Sequence, residues 1–209
     1  MAYPTVSAPY GFKPVNRQDG MPYAGATTQY GITSVSTAIY NGDLVYVAGG
    51  TVTKSSVTTT SVLTVANQAN LTAGVFVGCQ YVNTQGQTVQ SQYYPGNAAA
   101  SSAIAYVVVD ENAAYKVAVT NGSGVMSSTT DNAIGVNLAV DQEAGSATTG
   151  NSGNGVVAPS AGSGNASTLP VKVIAVVPET AINATNFSEV IVVLTNPQLT
   201  SAAGGVDFA

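Results

Sequence analysis

Short apolar runs recur along the chain, and turn-forming residues separate them. Three clear examples are "AIAYVVV" (103–109), "VKVIAVV" (171–177) and "VIVVL" (190–194). Val, Ile, Thr and Tyr dominate the apolar runs, and such residues in short stretches favour β-strands. Each run is far shorter than the ~20 apolar residues of a membrane-spanning helix. The pattern predicts an all-β protein, a sandwich or barrel of roughly nine or ten short strands.

Glycine-containing dipeptides mark the predicted turns in the first half of the chain. The stretch "STAIYNGDLVYVAGGTVTK" (36–54) predicts a strand, a turn at Asn41-Gly42, a second strand, a turn at Gly49-Gly50 and a third strand. Asn-Gly tolerates the positive φ angles that a tight hairpin requires. The Thr- and Val-rich residues 56–66 continue the strand pattern.

A further hairpin is predicted over residues 73–96, with its turn around Gln85-Gly86. Side chains alternate between the two faces of a strand, so the first half of this hairpin puts Phe76 on one face and four residues on the other. These four are Val75, Val77, Cys79 and Tyr81. Cys79 is the single cysteine of the chain. Within this apolar run we expect it to be a buried, unreactive thiol.

The second half of the chain continues the strand pattern. Residues 104–126 predict two strands and a Gly-containing turn at 121–124. Residues 170–196 predict two buried strands whose connection starts at Pro178.

Residues 131–143, "DNAIGVNLAVDQE", allow two interpretations. Asp131 could cap a helix in which Ile134 and Leu138 are four residues apart. The alternation of Val136, Leu138 and Val140 fits a strand equally well, and a strand is the interpretation we prefer.

The chain divides by composition into three parts. Residues 1–30 are rich in Pro, Gly and Tyr and predict an extended N-terminal arm, residues 31–199 a single β-rich domain, and residues 200–209 a C-terminal tail. Within the domain, residues 144–169 turn to Gly, Ser, Asn, Thr and Ala. Such a composition buries too little apolar area to offset its ordering entropy, so a long exposed loop is expected there.

Charge is scarce throughout. Only 7% of the 209 residues are charged, although 45% are hydrophobic, and the net charge is −5. A free monomer normally depends on surface charge for its solubility. Either much of the surface is buried in an assembly, or a neutral surface faces a harsh exterior; we prefer assembly. The negative balance disfavours binding to nucleic acid, which needs clustered Lys and Arg.

Candidate catalytic chemistry is sparse. The sequence contains no histidine, which removes Ser-His-Asp and Cys-His nucleophiles and most zinc sites. Asp141 and Glu143, two residues apart, would share a strand face, whereas the adjacent Asp110 and Glu111 would diverge. The pattern therefore predicts no enzyme, no cofactor and no metal site.

The arm carries the residues that most favour an interface. Tyrosine gives a large contact area at a small entropic cost, and proline stiffens an extended segment against helix formation. The alternative is that these rings only cover the edge of the protein's own core. As contacts to a partner we expect Tyr3, Pro4, Tyr10, Phe12, Lys13 and Arg17, the two cations meeting acidic groups.

Several segments in this order resemble the capsid decoration, or cement, proteins of tailed bacteriophages, especially those of marine and cyanobacterial hosts. They are "APYGFKPVNR" (8–17), "GVFVGCQYV" (74–82), "SQYYPG" (91–96), "AIAYVVVDE" (103–111), the Gly/Thr-rich stretch near 144–155, "PVKVIAVVPE" (170–179) and "EVIVVLTN" (189–196). The chain is longer than the small lambda-type members, and its 144–169 loop is a further elaboration.

The resemblance implies a β-rich body on the outside of the head and an N-terminal segment laid on the major capsid protein. It also implies a homotrimer at three-fold positions of the virion, with synthesis in the host bacterial cytoplasm. Nucleic acid and membrane are not expected partners. The alternative is a tail- or fibre-associated adhesin that binds host cell-surface carbohydrate.

Overall fold

A computed structural model of the chain describes residues 6–33, 37–55, 72–96, 101–121, 133–158, 169–180 and 187–195. These ranges contain thirteen strands in two sheets and no α-helix. The strands are β1 (Lys13–Arg17), β2 (Thr28–Ile32), β3 (Leu44–Ala48), β4 (Thr51–Lys54), β5 (Gly74–Val82), β6 (Thr88–Ser91), β7 (Ser101–Val108), β8 (Ala113–Thr120), β9 (Asn137–Leu138), β10 (Val140–Asp141), β11 (Gly155–Val157), β12 (Val171–Val176) and β13 (Glu189–Leu194). The all-β class predicted from the sequence is confirmed.

Five strands close into a small barrel. Their order is β3-β4-β2-β7-β5, and β5 pairs back to β3 through Leu44 opposite Val75, while β6 extends from the far end of β5. Closure removes the free edges that an open sheet would expose. The buried cluster that fills the ring comprises Ile32, Ile39, Val45, Val47, Val52, Ala73, Phe76, Cys79, Tyr94, Ala105 and Val107.

The second sheet has seven strands and packs against the outside of the barrel. Its order is β10-β11-β8-β13-β12-β9, with β1 also paired to β8. Leu44, Val75 and Val108 point from the barrel into the same cluster as the inner face of this sheet. That face contributes Tyr115, Val117, Val119, Leu138, Val140, Val156, Val171, Val173, Val190, Val192 and Leu194. Burying each Val or Leu contributes about 1.5–3 kcal/mol, so this interface fixes how the two sheets sit together.

One edge of β8 is shared by two segments that are distant in the chain. Strand β1 pairs with the first half of β8, and β11 pairs with its last two residues, Val119 and Thr120. The Gly11 N–H donates to the Asn154 carbonyl at 3.0 Å, which joins the two segments end to end. Part of the predicted N-terminal arm and part of the predicted exposed loop therefore complete the same sheet.

The prediction that residues 1–30 form an extended arm is wrong for residues 11–17 and for residues 28–30, which begin β2 of the barrel. Phe12 is fully buried and meets Tyr115 edge-on at 6.4 Å between ring centroids. Strand β1 is an outer strand with a register shift between Pro14 and Asn16. Proline lacks an N–H and is tolerated on such a strand, and the shift hides the alternation that the sequence would otherwise show.

The prediction of one exposed loop at 144–169 is wrong for residues 150–158, which are buried or half-buried, whereas residues 144 and 146–149 are exposed as predicted. Gly150, Ser152 and Asn154 are buried, and β11 lies within this segment. A Cβ on Gly155 would lie 2.6 Å from the Thr120 side chain, so only glycine permits this approach to β8. Polar composition does not prevent the burial of Ser152, because Asp43 accepts the hydrogen bond of its hydroxyl.

A β-bulge in β5 overturns the predicted face of two residues. Val75 and Val77 pack toward the seven-stranded sheet, but Cys79 and Tyr81 join Phe76 in the barrel cluster. The register with β7 shifts between Phe76 and Gly78. The extra residue of a bulge reverses the alternation of side chains beyond it.

Two of the predicted hairpins form, and one does not. The turn at Gly49-Gly50 joins β3 to β4, and both glycines have positive φ. The turn near Gln85-Gly86 joins β5 to β6 as predicted. Asn41-Gly42 does form a turn, but the residues on its two sides pair elsewhere, Ile39 with Tyr94 and Leu44 with Val75. The strand pattern of 56–66 lies outside the described residues.

The remaining strand predictions hold within the described ranges. Residues 137–141 form β9 and β10, so the strand interpretation of 131–143 is confirmed. Residues 170–196 form the antiparallel pair β12 and β13, and residues 104–126 contain β7 and β8. Most of the turn predicted at 121–124, and the tail at 200–209, lie outside the described residues.

Candidate functional site

The residues expected to contact a partner occupy different environments. Tyr3 and Pro4 lie outside the described residues. Phe12 belongs to the core and has no exposed surface, so the expectation that it contacts a partner is wrong for this fold. Tyr10, Lys13 and Arg17 each contact the protein's own body.

Lys13 lies at a junction between three segments of the chain. Its Nζ donates to Asn41 Oδ1 at 2.6 Å and to Asn151 Oδ1 at 2.8 Å, and it lies 3.3 Å from the Asn41 carbonyl oxygen. Burial lowers the pKa of the Lys13 amine to about 8, against the opposing effect of the negative charge of Asp43. The amine therefore links β1, the turn at 40–43 and the segment at 150–154. We call this arrangement the Lys13 junction.

Backbone pairing places the two asparagines of the junction side by side. Asn41 and Asn151 form an isolated parallel bridge, in which the Asn41 N–H donates to the Gly150 carbonyl at 3.0 Å. The Ser152 N–H donates to the Asn41 carbonyl at 3.0 Å. The Asn41 Nδ2 donates to the Val77 carbonyl at 2.9 Å, which turns Oδ1 toward the lysine. Both carboxamide oxygens thus converge on one nitrogen.

A fully buried carboxylate supports the same junction. Asp43 pairs with Lys54 at 3.1 Å and accepts a hydrogen bond from the Tyr40 N–H at 2.9 Å. The Ser152 hydroxyl donates to it at 2.6 Å. A buried charge is tolerated only when it is paired and hydrogen-bonded. These contacts therefore hold residues 40–43 and 150–154 in one geometry.

Tyr10 anchors the start of the described chain. Its hydroxyl donates to the carboxylate of Glu189, which also pairs with Lys116 at 3.1 Å. Burial raises the pKa of Tyr10 well above its usual range, and the bond to Glu189 adds to this effect. The ring remains a neutral donor at physiological pH. Four residues earlier, the Val6 carbonyl accepts the Phe187 N–H at 3.1 Å.

Arg17 pairs with two carboxylates of its own chain. Its guanidinium lies 3.0 Å from Asp19 and 3.1 Å from Asp110. All three side chains are partly exposed, so these pairs contribute little to stability. Arg17 thus keeps some surface through which it could meet another molecule.

The residues that follow β1 form an exposed, almost uncharged strip, which we define as residues 18–31. All of them are exposed apart from the half-buried Tyr23 and Tyr30. Met21 is 61% exposed, the largest value among the exposed large hydrophobic side chains of the described residues. Asp19 is the single charged residue in the strip. A surface with few charges and an exposed Met beside tyrosine rings has the composition found at the centres of protein interfaces.

An open cleft lies between the first described residues and the segment after β10. It has a volume of about 590 Å³ and is lined by residues 7–10 and by residues from 143 to 153. Glu143 is exposed there, whereas Asp141 is buried and accepts a 2.5 Å hydrogen bond from the Thr120 hydroxyl. The expectation that these two carboxylates share a strand face is therefore wrong, because β10 ends at Asp141.

Cys79 is buried in the barrel, as predicted. Burial raises the pKa of its thiol to about 12. A protonated, enclosed thiol is a poor nucleophile.

Sequence reasoning missed Asn41, Asp43, Asn151 and Ser152 as a group. They come from two segments more than a hundred residues apart, so spacing gives no signal. One hint was present. In a chain with so few charges, an acidic residue directly before the apolar run "LVYV" suggests a specific buried partner.

Comparison of the chain with protein-family models, with curated proteins and with solved structures gives no match. In the described ranges no three acidic or cysteine residues gather into a metal-binding group. Nor do those ranges include an apolar helix with the length of a bilayer crossing.

Proposed function

We propose that this protein is a structural component of a tailed-bacteriophage virion that binds the outside of the major capsid protein shell and stabilises it. Several segments resemble those of capsid decoration proteins and come in the same order along the chain, which supports a capsid-binding function. The low charge supports it as well, because a surface with few charges suits burial in an assembly.

The observation that carries the proposal is the exposed strip of residues 18–31. It presents Met21, Pro22 and Ala24, and the charges beside them, Asp19 and Arg17, are paired with each other. Interface cores are depleted in charged residues and enriched in Met and Tyr. The half-buried rings of Tyr23 and Tyr30 at this surface fit that composition.

The strip replaces part of the contact surface expected from sequence. Phe12 is committed to the core and Lys13 to the junction, so the capsid contact shifts to residues 18–31, with Tyr3 and Pro4 as further candidates. Arg17 lies at the boundary of the strip. Weak contacts of this kind sum when copies are linked, so a homotrimer on the capsid surface would bind more tightly than a monomer.

The test is binding of purified protein to capsids that lack it, comparing Met21→Asp with the wild type. A charge at the centre of an apolar contact must be desolvated, so we expect a loss of binding of at least tenfold, or about 1.4 kcal/mol. Ile134→Asp is the matched control, since Ile134 is 49% exposed and lies outside the strip. It should bind as the wild type does.

Two results would contradict the proposal at different levels. Wild-type binding by Met21→Asp would remove the strip as the contact surface. Failure of the wild-type protein to bind capsids at all would remove the decoration function.

The open cleft of about 590 Å³ favours a second candidate, an adhesin that binds host cell-surface carbohydrate. Its volume lies in the range of small-ligand sites, and the exposed side chains of Glu143, Ser146 and Thr149 at its walls offer hydrogen-bonding groups. Binding of the wild-type protein to host cells but not to capsids would favour this function.

A further inference from the structure

The Lys13 junction places an amine within hydrogen-bonding distance of two carboxamides, the two functional groups from which an amide bond between side chains can form. We propose that Lys13 and Asn41 form an intramolecular isopeptide bond, which ties β1 covalently to the turn at 40–43. This inference does not depend on the proposed function.

Distance supports the reaction. Lys13 Nζ lies 2.6 Å from Asn41 Oδ1. A C=O bond is about 1.23 Å long, so the Asn41 Cγ lies no more than about 3.8 Å from the nitrogen. Reacting atoms in productive intramolecular geometries are about 3–3.5 Å apart, and such placement replaces a slow encounter with a fast unimolecular step.

The amine is more often in its reactive form than an exposed lysine. With its pKa lowered to about 8 by burial, about a tenth of the Lys13 amines are uncharged at pH 7. For an ordinary lysine that fraction is about one in 3,000. The groups that face Nζ are the carboxamides of Asn41 and Asn151, with the charge of Asp43 acting from behind them.

Of the two carboxamides, that of Asn41 is better placed for attack by the Lys13 amine. Its oxygen is closer to Nζ than that of Asn151, and its Nδ2 is held by the Val77 carbonyl. This hydrogen bond fixes the plane of the carboxamide. Asp43 accepts hydrogen bonds from the N–H of Tyr40, the residue before Asn41, and from the hydroxyl of Ser152 in the neighbouring segment. Asp43 is therefore a positioning residue in this proposal.

The reaction balances without a further reactant. The uncharged Nζ attacks Asn41 Cγ, the new C–N bond forms, and the bond from Cγ to Nδ2 breaks. The proton that Nζ loses goes to the departing nitrogen, which leaves as ammonia. The product is one amide bond across residues 28 positions apart, and such a cross-link restricts the unfolded chain as a disulfide does.

The first test is the intact mass of the full-length protein under denaturing conditions. We expect a mass lower than that of the sequence by one molecule of ammonia. The full sequence mass would overturn the proposal and leave the junction as a set of hydrogen bonds.

The Lys13→Arg variant tests whether the loss of mass comes from this bond or from a second reaction that also releases ammonia. Asn41 precedes Gly42, and an Asn-Gly pair can lose ammonia by cyclising on its own backbone to a succinimide. The loss should disappear in Lys13→Arg, which keeps the positive charge. A loss that persists in this variant would assign it to the succinimide and contradict the isopeptide bond.

Trypsin digestion then identifies the partner. The basic residues are Lys13, Arg17, Lys54, Lys116 and Lys172, and Lys13 precedes proline, so the expected product joins residues 1–17 to residues 18–54. Separate peptides in these positions would contradict the bond. A product joining residues 1–17 to residues 117–172 would instead show that Lys13 is bonded to Asn151, and it would overturn the assignment to Asn41.

Discussion

Ser152 donates a 2.6 Å hydrogen bond to the carboxylate of Asp43, a residue 109 positions earlier in the chain that has no exposed surface. This bond connects the segment after β10 to the turn that leads into the barrel. Together with the bridge between Asn41 and Asn151, it fixes the position of the two asparagines that meet Lys13.

Asp43→Asn should destabilise the fold strongly. The substitution keeps the shape of the side chain but leaves Lys54 without its carboxylate partner. Breaking a buried ion pair costs about 3–5 kcal/mol, and the partial exposure of Lys54 puts the expected loss near the lower value, about 3 kcal/mol. The free energy of unfolding in urea measures it.

Asp19→Asn is the control for this prediction, because Asp19 also pairs with a cation but at the surface. It should leave the urea midpoint unchanged. Equal midpoints for Asp43→Asn and the wild type would show that the buried pair does not stabilise the fold.

Tyr10→Phe should loosen the N-terminal segment. The variant removes the hydroxyl that donates to the buried carboxylate of Glu189, which pairs with Lys116 as well. Loss of one hydrogen bond to a buried charged group costs about 1.5–3 kcal/mol.

Tyr23→Phe removes a hydroxyl whose bond to the Ala26 carbonyl is at the surface. Its effect on the free energy of unfolding should stay within about 0.5 kcal/mol. Trypsin cleavage after Arg17 gives a second measurement, and it should accelerate in Tyr10→Phe alone. The same cleavage rate in both variants would contradict the anchoring role of Tyr10.

Cys79 makes the stability depend on pH in a defined direction. The folded thiol ionises near pH 12, whereas an unfolded cysteine ionises near its usual value of 9.0. Between these values the unfolded state binds fewer protons, so this group's contribution is complete below pH 9 and is lost as pH rises toward 12. The slope approaches about 1.4 kcal/mol per pH unit.

Comparison with Cys79→Ala isolates this effect, because the tyrosines that also ionise in alkali are present in both proteins. The difference in the free energy of unfolding between the two should shrink as pH rises from 9 to 12. A difference that stays constant over this range would contradict the burial of the thiol.

Gly74→Ala should disrupt the closure of the barrel. A Cβ at this position would lie 2.1 Å from the Val108 carbonyl oxygen, where backbone cannot move aside cheaply. Overpacking of this kind costs about 1–3 kcal/mol or more.

Gly31→Ala is the matched control on another barrel strand, since its Cβ would meet only the Thr51 side chain at 3.6 Å. Its thermal midpoint should remain close to that of the wild type. If Gly74→Ala melted at the same temperature, the close approach of β5 and β7 would be excluded.

The residue pattern within a short stretch was enough to predict those strands and turns that depend only on neighbouring residues. The pair β12 and β13 and the turn at Gly49-Gly50 follow from β-branched runs and from glycines that accept positive φ. The burial of Cys79 also follows from its apolar neighbours. In each case the deciding interactions lie within a few residues of one another.

Local pattern failed where a partner distant in the chain decides the outcome. Polar residues such as Ser152 are buried because Asp43 is present to accept their hydrogen bonds. The bulge near Phe76 reverses the side chains beyond it, because β5 must match the register of β7. Neither partner can be identified from spacing along the chain.

The sequence by itself determined the all-β class, most of the strands and the scarcity of charge. Short β-branched runs and turn residues act over a few positions, and composition needs no fold at all. Only the tertiary structure decided that residues 11–17 belong to the body and that Lys13, Asn41 and Asn151 meet. The free edge of β8 must be paired, and the segments that pair with it come from opposite parts of the chain.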